Sequence, residues 1–191
     1  MVPFFKLFNF KGSLIISVCD FIAYIIYLVK ISCYTPFTMN LVILAIGKKK
    51  SEYDEMIKEY QKRIVAPFSL SLEIIEPLGI DNAEQSRIKE SEKLATKIKP
   101  GDFMVAMDER GKDFTTEAFA QYIENKLQGG YKRIVFIIGG AYGLSDELKK
   151  QAALTLRLGA FTLPHEMARL VLTEQLYRVT NLIGGGKYHH K

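Results

Sequence analysis

The sequence predicts an α/β domain with a mostly parallel sheet and helices on both faces, running from Met39 to the C-terminus. Short apolar runs alternate with longer segments of helical periodicity, the pattern of parallel strands joined through helices. Hydrophobic residues make up 48% of the 191 residues and charged residues 25%, an ordinary globular composition with room for one core. Neither internal repeats nor low-complexity linkers follow Met39, so we expect a single domain over residues 39–191.

Residues 1–38 form an apolar leader of a different character. Residues 13–29 are nearly continuous apolar sequence, at the short limit for a membrane span. Asp20 near the middle would cost roughly 2.5–3.5 kcal/mol on insertion. A mis-assigned start, a membrane anchor and a signal peptide are all open, and we favour the first because Met39 begins a fresh strand pattern. A membrane-anchored interaction protein is accordingly one rival function.

The charge balance leans mildly toward anionic partners. Net charge is +5, and it falls to +3 once the leader's three lysines and one aspartate are set aside. Such an excess suggests a moderate affinity for anionic partners such as nucleic acid. The two cysteines, Cys19 and Cys33, both precede Met39, so the domain has no disulfide framework or cysteine metal site. We expect a cytoplasmic location and no metal.

The first half of the domain contains two strands and two helices. Residues 40–47 are an apolar strand, and capping-box spacing opens a helix over 51–64. Residues 70–75 alternate apolar and polar side chains as a second strand. A highly charged helix follows, to about residue 98. Its polar side chains are expected to form a solvated face: Ser86, Arg87, Lys89, Glu90, Glu92 and Lys93.

A third strand over 103–107 flows directly into the charged segment DERGK at 108–112. Open α/β sheets bind ligands outside the carboxyl ends of their strands, so these charges stand where working groups are expected. A plain solvated turn fits the sequence nearly as well. A helix over 115–128, begun by threonine and ended by glycine, then leads to the fourth strand, over 133–138.

The fourth strand ends in the glycine-rich loop IIGGAYGLS, residues 137–145. Glycines let the backbone turn sharply and approach a neighbour closely. Ser145 is placed to cap a helix from Asp146, where backbone N–H groups are unpaired. The combination is typical of a cofactor-binding edge, although a structural turn is equally compatible with the loop taken alone. The loop lacks both the G-K-[ST] ending of a P-loop and the G-x-G-x-x-G pattern, which disfavours a nucleotide-binding protein.

A short helix over 146–153 leads to a second glycine-containing segment, LRLGAFTLPH at 156–165, expected to be a strand or extended loop stopped by proline. The last helix spans about 166–183, and its core stripe comprises Ala168, Leu172, Leu176, Val179 and Ile183. A second set recurs every four residues along another side: His165, Arg169, Thr173 and Tyr177. Three glycines at 184–186 end this helix and precede the tail KYHHK at 187–191.

Six short motifs follow one another between Met39 and the C-terminus. They are MNLVILAIGK at 39–48, MDERGK at 107–112, FIIGGAYGL at 136–144, TLPH at 162–165, EQLYR at 174–178 and YH at 188–189. Each is weak alone. In this order and spacing, over about 150 residues, they resemble the ribosomal RNA large subunit methyltransferase H family, small members of the SPOUT methyltransferases. Met107 stands where that family has leucine, a change of similar volume that should be tolerated.

The resemblance implies a C-terminal trefoil knot, a rare exception to unknotted topology. It also implies S-adenosyl-L-methionine bound in the knot, and a homodimer as the active unit. Small residues are expected where chain crosses chain, at Gly139, Gly140, Gly143, Gly159 and Ala160. The cofactor residues carried over are Met107, Gly139, Gly140, Leu158, Gly159, Ala160, Phe161, Thr162 and Leu163.

The activity implied is methylation of N3 of a pseudouridine in large-subunit rRNA within the ribosome. That nitrogen must lose a proton, so a nearby acceptor would help. The candidates are His165, Tyr188 and His189, although His165 could equally be a satisfied histidine at a helix start. Contacts with rRNA phosphate are expected from Arg169, Arg178 and Lys187, the arginines alternatively meeting the partner subunit. A SPOUT enzyme with another RNA target is the rival that keeps the fold.

Overall fold

The computed structural model describes residues 9–10, 13–14, 38–186 and Tyr188. The chain forms two compact units, Met1–Pro36 and Phe37–Lys191. In the first unit, strands β1 (Asn9–Phe10) and β2 (Ser13–Leu14) pair antiparallel. Most of the apolar stretch at residues 13–29, the candidate membrane anchor, lies outside the described residues. Within the described part of the chain, no helix has the length and apolar character to cross a membrane.

The second unit is built on a five-stranded sheet in which every pair of neighbours is parallel. In spatial order its strands are β4 (Phe68–Ile75), β3 (Met39–Ile46), β6 (Arg133–Ile138), β5 (Phe103–Lys112) and β7 (Leu154–Leu156). Because the strands run in one direction, their carboxyl ends meet at a single edge of the sheet. The predicted α/β class is confirmed.

Five helices connect and follow these strands in the second unit's described part: α1 (Asp54–Arg63), α2 (Ala83–Ala95), α3 (Thr116–Gln128), α4 (Asp146–Gln151) and α5 (His165–Ile183). Side-chain caps start three of them, since Asn82, Thr115 and Ser145 each accept a bond from a backbone N–H of the first turn. Helix α1 begins three residues later than predicted. The Ser51 N–H donates to the Asp54 carboxylate at 3.1 Å, so Ser51 belongs to the preceding turn.

Two apolar clusters show that both faces of the sheet are covered. Alternate residues of β3 divide between them, because successive side chains of a strand point to opposite faces. Leu41, Ile43 and Ala45 pack in a cluster with Phe119 of α3 and with Leu172, Leu176 and Val179 of α5, against which Ile183 also packs. Ala168, also predicted for the core stripe of α5, belongs to neither of the two clusters. Val42, Leu44 and Ile46 pack in the other cluster with Leu94 of α2 and Leu148 of α4. The helices therefore lie on both faces, as predicted.

Strand β5 includes residues 108–112, the charged segment for which the sequence allows either a ligand-binding edge or a solvated turn. The charged residues 108–112 continue the strand, and β5 pairs with β7 with an irregularity between Met107 and Lys112. Gly111 permits this, since a Cβ there would lie 2.6 Å from the backbone of Leu156. The solvated turn is therefore wrong, and charged side chains are carried on a paired strand.

The solvated face predicted for α2 is wrong for two of its residues. Ser86 and Glu90 are each only 4% exposed, and with Leu94 they form a buried stripe at four-residue spacing. The inward stripe of α2 carries polar side chains, so hydrophobic periodicity did not reveal it.

Candidate active site

A cavity of about 450 Å³ opens at the carboxyl edge of the sheet. Three segments line it: residues 107–110 in the second half of β5, residues 138–144 from the end of β6 onward, and most of residues 156–165 from the end of β7 onward. Its volume falls within the roughly 300–1,000 Å³ typical of small-molecule pockets. The topology thus brings the two glycine-containing segments of the sequence to one place.

The glycine loop folds back tightly on itself. A Cβ on Gly139 would lie 2.5 Å from the carbonyl carbon of Gly143, so no side chain fits between them. The Gly143 N–H donates to the Gly140 carbonyl at 3.0 Å, and Gly143 itself has a left-handed φ of 75°. Ser145 closes the loop, since its N–H donates to the buried Ser91 hydroxyl at 2.8 Å while its own hydroxyl caps α4.

The glycines predicted at chain crossings therefore divide into two groups. Gly139 and Gly140 have near neighbours, since a Cβ on Gly140 would fall 2.6 Å from the Glu90 carboxylate. Among the described residues, nothing lies within 4 Å of a Cβ placed on Gly143 or Gly159. The expectation of close crossings is wrong for these two residues, and Gly143 instead serves the backbone conformation of the turn.

An ionic cluster stands on one wall of the cavity. The Lys149 ammonium donates to Asp108 at 3.1 Å and pairs with Asp146 at 3.0 Å, while the Arg110 N–H donates to Asp108 at 2.9 Å. Burial alone would raise the pKa of Asp108, but the Arg110 and Lys149 bonds outweigh it and hold that pKa below its ordinary value. Burial opposes the charge of Lys149 too, yet its two carboxylate partners raise the pKa of the ammonium. Asp108 and Lys149 are therefore a charged pair at neutral pH.

The segment after β7 is tied to the extended part of β5. The Thr162 hydroxyl donates to the Glu109 carboxylate at 2.7 Å, and Arg157 forms a bidentate ion pair with Asp113. Phe161, between these anchors, is 86% exposed. The segment therefore has fixed ends and presents an apolar ring next to the cavity.

The structure places eight of the nine predicted cofactor residues on the cavity wall: Met107, Gly139, Gly140, Leu158, Gly159, Phe161, Thr162 and Leu163. Ala160 differs, and does not line the cavity. The cavity wall combines apolar side chains, the backbone of the glycine loop and charged groups of both signs. Such a wall suits a ligand made of an adenosine and a zwitterionic amino acid. The residues present thus fit S-adenosyl-L-methionine.

Of the predicted proton acceptors, the two that the structure describes, His165 and Tyr188, are not brought together. His165 opens α5 and lines the cavity. Tyr188 does not line it, and packs instead on Tyr177 with ring centroids 4.6 Å apart, its hydroxyl 3.4 Å from the Glu174 carboxylate. Desolvation, with a hydrogen bond that the Tyr188 hydroxyl donates to Tyr60, raises the pKa of Tyr188, so the phenol stays protonated at neutral pH. His189 lies outside the described residues.

The predicted RNA contacts also divide. Arg169 is fully buried, its Nη1 donating to the Lys48 carbonyl at 3.3 Å, so its guanidinium is not offered to RNA and that prediction is wrong. Arg178 is partly exposed and bound to Glu174, where it also lies 4.8 Å from the centre of the Tyr188 ring. Lys187 lies outside the described residues.

Three site residues were missed by sequence reasoning. Arg87, predicted on a solvated face, and Lys149, for which no role is predicted, both line the cavity, and Glu90 lies directly behind the glycine loop. The four-residue spacing of Ser86 and Glu90 was a usable signal, because it matches a buried stripe with Leu94.

Comparison with known proteins agrees with this geometry. The family described as "Predicted SPOUT methyltransferase" matches residues 39–189. The fold, the cavity and this match define a SPOUT-class methyltransferase, so the chain is an enzyme.

Relatives that the chain matches over their full length identify the family within this class of methyltransferases. The chain is 41% identical over 161 residues to the ribosomal RNA large subunit methyltransferase H of Natranaerobius thermophilus, covering 80% of this chain and 100% of that protein. It is 37% identical over 158 residues to that of Christiangramia forsetii and 39% identical over 158 residues to that of Neisseria meningitidis, with the same coverage. The chain belongs to the ribosomal RNA large subunit methyltransferase H family.

Among solved structures, the SpoU methyltransferase AviRb of Streptomyces viridochromogenes, in complex with the cofactor AdoMet, shows 14% identity and a TM-score of 0.39. That similarity covers 78% of this chain and 60% of AviRb, and it is too low to add to the assignment.

Proposed function

We propose that this enzyme transfers a methyl group from S-adenosyl-L-methionine to N3 of a pseudouridine in the large-subunit rRNA of the ribosome. The observation that carries the proposal is the cavity at the carboxyl edge of the sheet. Three segments distant in the chain converge on it, and they contain three of the six motifs by which the sequence resembles its family. Family membership supports both the methyl donor and the rRNA substrate.

The donor, when bound, supplies a methyl group on a positively charged sulfonium, so the protein mainly has to bind and align. The backbone of the glycine loop and the apolar side chains of Met107, Leu158 and Leu163 would hold it. Phe161, exposed at the cavity, is placed to exclude water once the site is filled. His165 lines the cavity, and its imidazole can accept the proton that the acceptor nitrogen loses.

Residues 39–191 are the proposed catalytic unit, acting as a homodimer in the cytoplasm on the assembled ribosome. The mild net charge of +3 for this part supports recognition of a large preformed surface over tight binding to naked RNA. Tyr188 and His189 in the tail remain candidates for the acceptor side of the site. The trefoil knot stays a prediction from the family resemblance.

Mass spectrometry of rRNA from a strain lacking this gene tests the proposal. We expect one methylpseudouridine to disappear from the large-subunit rRNA and to return when the full chain is supplied. A variant carrying Gly139→Leu, whose side chain has no room beside Gly143, should fail to restore it. Unchanged methylpseudouridine in the deletion strain would defeat the proposal.

A further inference from the structure

A second cavity, of about 190 Å³, adjoins the first and shares part of its wall. Gly140, Ala141, Tyr142 and His165 line both. The remaining wall comes from the end of β3, from residues 77–80 after β4, and from α2. A ligand in the second cavity would therefore stand next to one in the first, with the glycine loop at the boundary between them.

Glu90 supplies a buried carboxylate to this second cavity. It is 4% exposed, and one of its oxygens accepts the Leu78 N–H at 3.2 Å. The other oxygen lies against Gly140, where a Cβ would come within 2.6 Å of it. Within residues 38–186 and Tyr188, no lysine, arginine or histidine forms an ion pair with Glu90.

A buried carboxylate without a cationic partner is unusual, because leaving water is unfavourable for the charge. The second oxygen of Glu90 retains free acceptor capacity on the cavity wall. Ser86, one turn earlier on α2 and also buried, adds a hydroxyl to the same wall. Ile46, Pro77 and Ile80 make much of the remainder apolar. A flat ring with an N–H group on its edge matches this combination.

The volume matches one small ring. About 190 Å³ equals the room of roughly six water molecules at 30 Å³ each, which suits a pyrimidine and is too little for a whole nucleotide. Enzymes that act on a base commonly turn it out of its stack into such a pocket and bind its edge with hydrogen bonds.

We propose that the second cavity receives the acceptor base and that the free oxygen of Glu90 accepts the N1–H of pseudouridine. This inference rests on the proposed function. Pseudouridine is joined to its ribose through carbon, so N1 carries a hydrogen, whereas in uridine N1 carries the sugar. A carboxylate bound at N1–H leaves N3 free for the methyl group and leaves uridine without a matching donor. Glu90 is thereby a specificity-determining residue, since a site built to bind an N–H rejects an analogue that lacks it.

Methyl transfer by the full chain to two kinds of ribosome tests the inference. One kind comes from a strain that forms the pseudouridine, the other from a strain that leaves uridine there, and both lack the methyl group. Wild type should prefer pseudouridine in kcat/KM by about tenfold or more, the scale of a lost charged hydrogen bond. Glu90→Met, which keeps length and removes the acceptor, should abolish that preference by lowering kcat/KM for pseudouridine.

Two further variants separate this role from a structural one. Glu92→Met is the matched control, because Glu92 lies on the same helix with its side chain 59% exposed and pairs only with Lys89 among the described residues. It should keep the wild-type preference. Ile80→Trp should fill the second cavity and lower kcat/KM for ribosomes at least tenfold. Calorimetry should give wild-type S-adenosyl-L-methionine affinity for all three variants, since none of them lines the first cavity.

The outcomes distinguish the two proposals. Methyl transfer by wild type without discrimination, or a preserved preference in Glu90→Met, overturns the assignment of Glu90 and leaves the methyltransferase function standing. Full activity of Ile80→Trp overturns the second cavity as the base site. Absence of methyl transfer by wild type to either ribosome overturns the proposed function, and the inference with it.

Discussion

Gly139→Ala is the substitution at which a single methyl group should have the clearest effect. The new Cβ would lie 2.5 Å from the carbonyl carbon, 2.6 Å from the oxygen and 2.9 Å from the Cα of Gly143. All three are backbone atoms, so no side chain can rotate away. Bringing the shortest distance to an ordinary 3.4 Å means moving two backbone segments apart by 3.4 minus 2.5, or 0.9 Å.

That movement acts on the turn that forms the cavity wall. It strains the hydrogen bond from the Gly143 N–H to the Gly140 carbonyl, which is 3.0 Å long. Forcing an added methyl group into close-packed structure typically destabilises by about 1–3 kcal/mol. For a domain of this size, each kcal/mol lowers Tm by roughly 2–4 °C, so Gly139→Ala should lower Tm by about 2–12 °C.

Thermal unfolding measures the stability change, and calorimetric titration with S-adenosyl-L-methionine measures the effect on the site. We expect both to fall. Gly159→Ala is the matched control, since it lines the same cavity while its Cβ would meet nothing within 4 Å. Its stability should change by less than about 0.5 kcal/mol. If Gly139→Ala instead unfolds at the wild-type temperature, the turn can accommodate a Cβ at residue 139, and the close approach to Gly143 does not constrain that residue.

Three other substitutions test separate parts of the domain. Lys149→Met should destabilise by about 1–3 kcal/mol at pH 7 through the lost partner of Asp108. Because folding lowers the pKa of Asp108, that contribution is fully present above its unfolded value of about 3.9 and should shrink in urea titrations as the pH falls below that value and through the folded pKa; a pH-independent difference would contradict it. Deletion of the tail from Lys187 should abolish methyl transfer and spare cofactor affinity, and full activity of the truncation would remove the tail from the site. Arg169→Met should change the free energy of unfolding by less than about 1 kcal/mol, since Nε and Nη2 of that buried guanidinium have no hydrogen-bond partner among the described residues, which offsets the bond to Lys48 and the 3.6 Å ion pair with Glu166; a larger loss would disprove this.

The sheet and most of the cavity could be predicted because they rest on local signals. A parallel strand buried on both faces is a short apolar run, and β3 and β6 are such runs in the sequence. The glycine loop after β6 and the segment after β7 carry small residues and proline that mark turns at strand ends. Once the sheet is parallel, its topology alone brings those ends to one edge, so the convergence on the cavity required no side-chain detail.

The residues that could not be predicted are polar side chains whose burial depends on contacts distant in the chain. Arg169 lies on the same helical side as Thr173, and the sequence predicts contact of Arg169 with rRNA phosphate or the partner subunit. Both side chains are fully buried, because this side of α5 faces the protein interior and the end of β3, where Arg169 meets Gly47 and Lys48. The Thr173 hydroxyl is satisfied within the helix, donating to the Arg169 carbonyl at 2.8 Å. Nothing in the spacing of these residues distinguishes an outward polar stripe from an inward one.

Glu90 is a buried polar side chain of this kind that lies at the functional site. A charge in a helix of charges is most often solvated, and residue type alone supports that interpretation. The parallel sheet, however, brings the glycine loop across α2, and Gly140 is the residue whose missing side chain lets the loop reach the carboxylate. Glu90 is therefore an exception to the rule that a charged side chain is either solvated or paired, since no cationic side chain among the described residues forms an ion pair with it. Natural sequences break such rules chiefly where function requires it, which is the reason to place the acceptor base at this carboxylate.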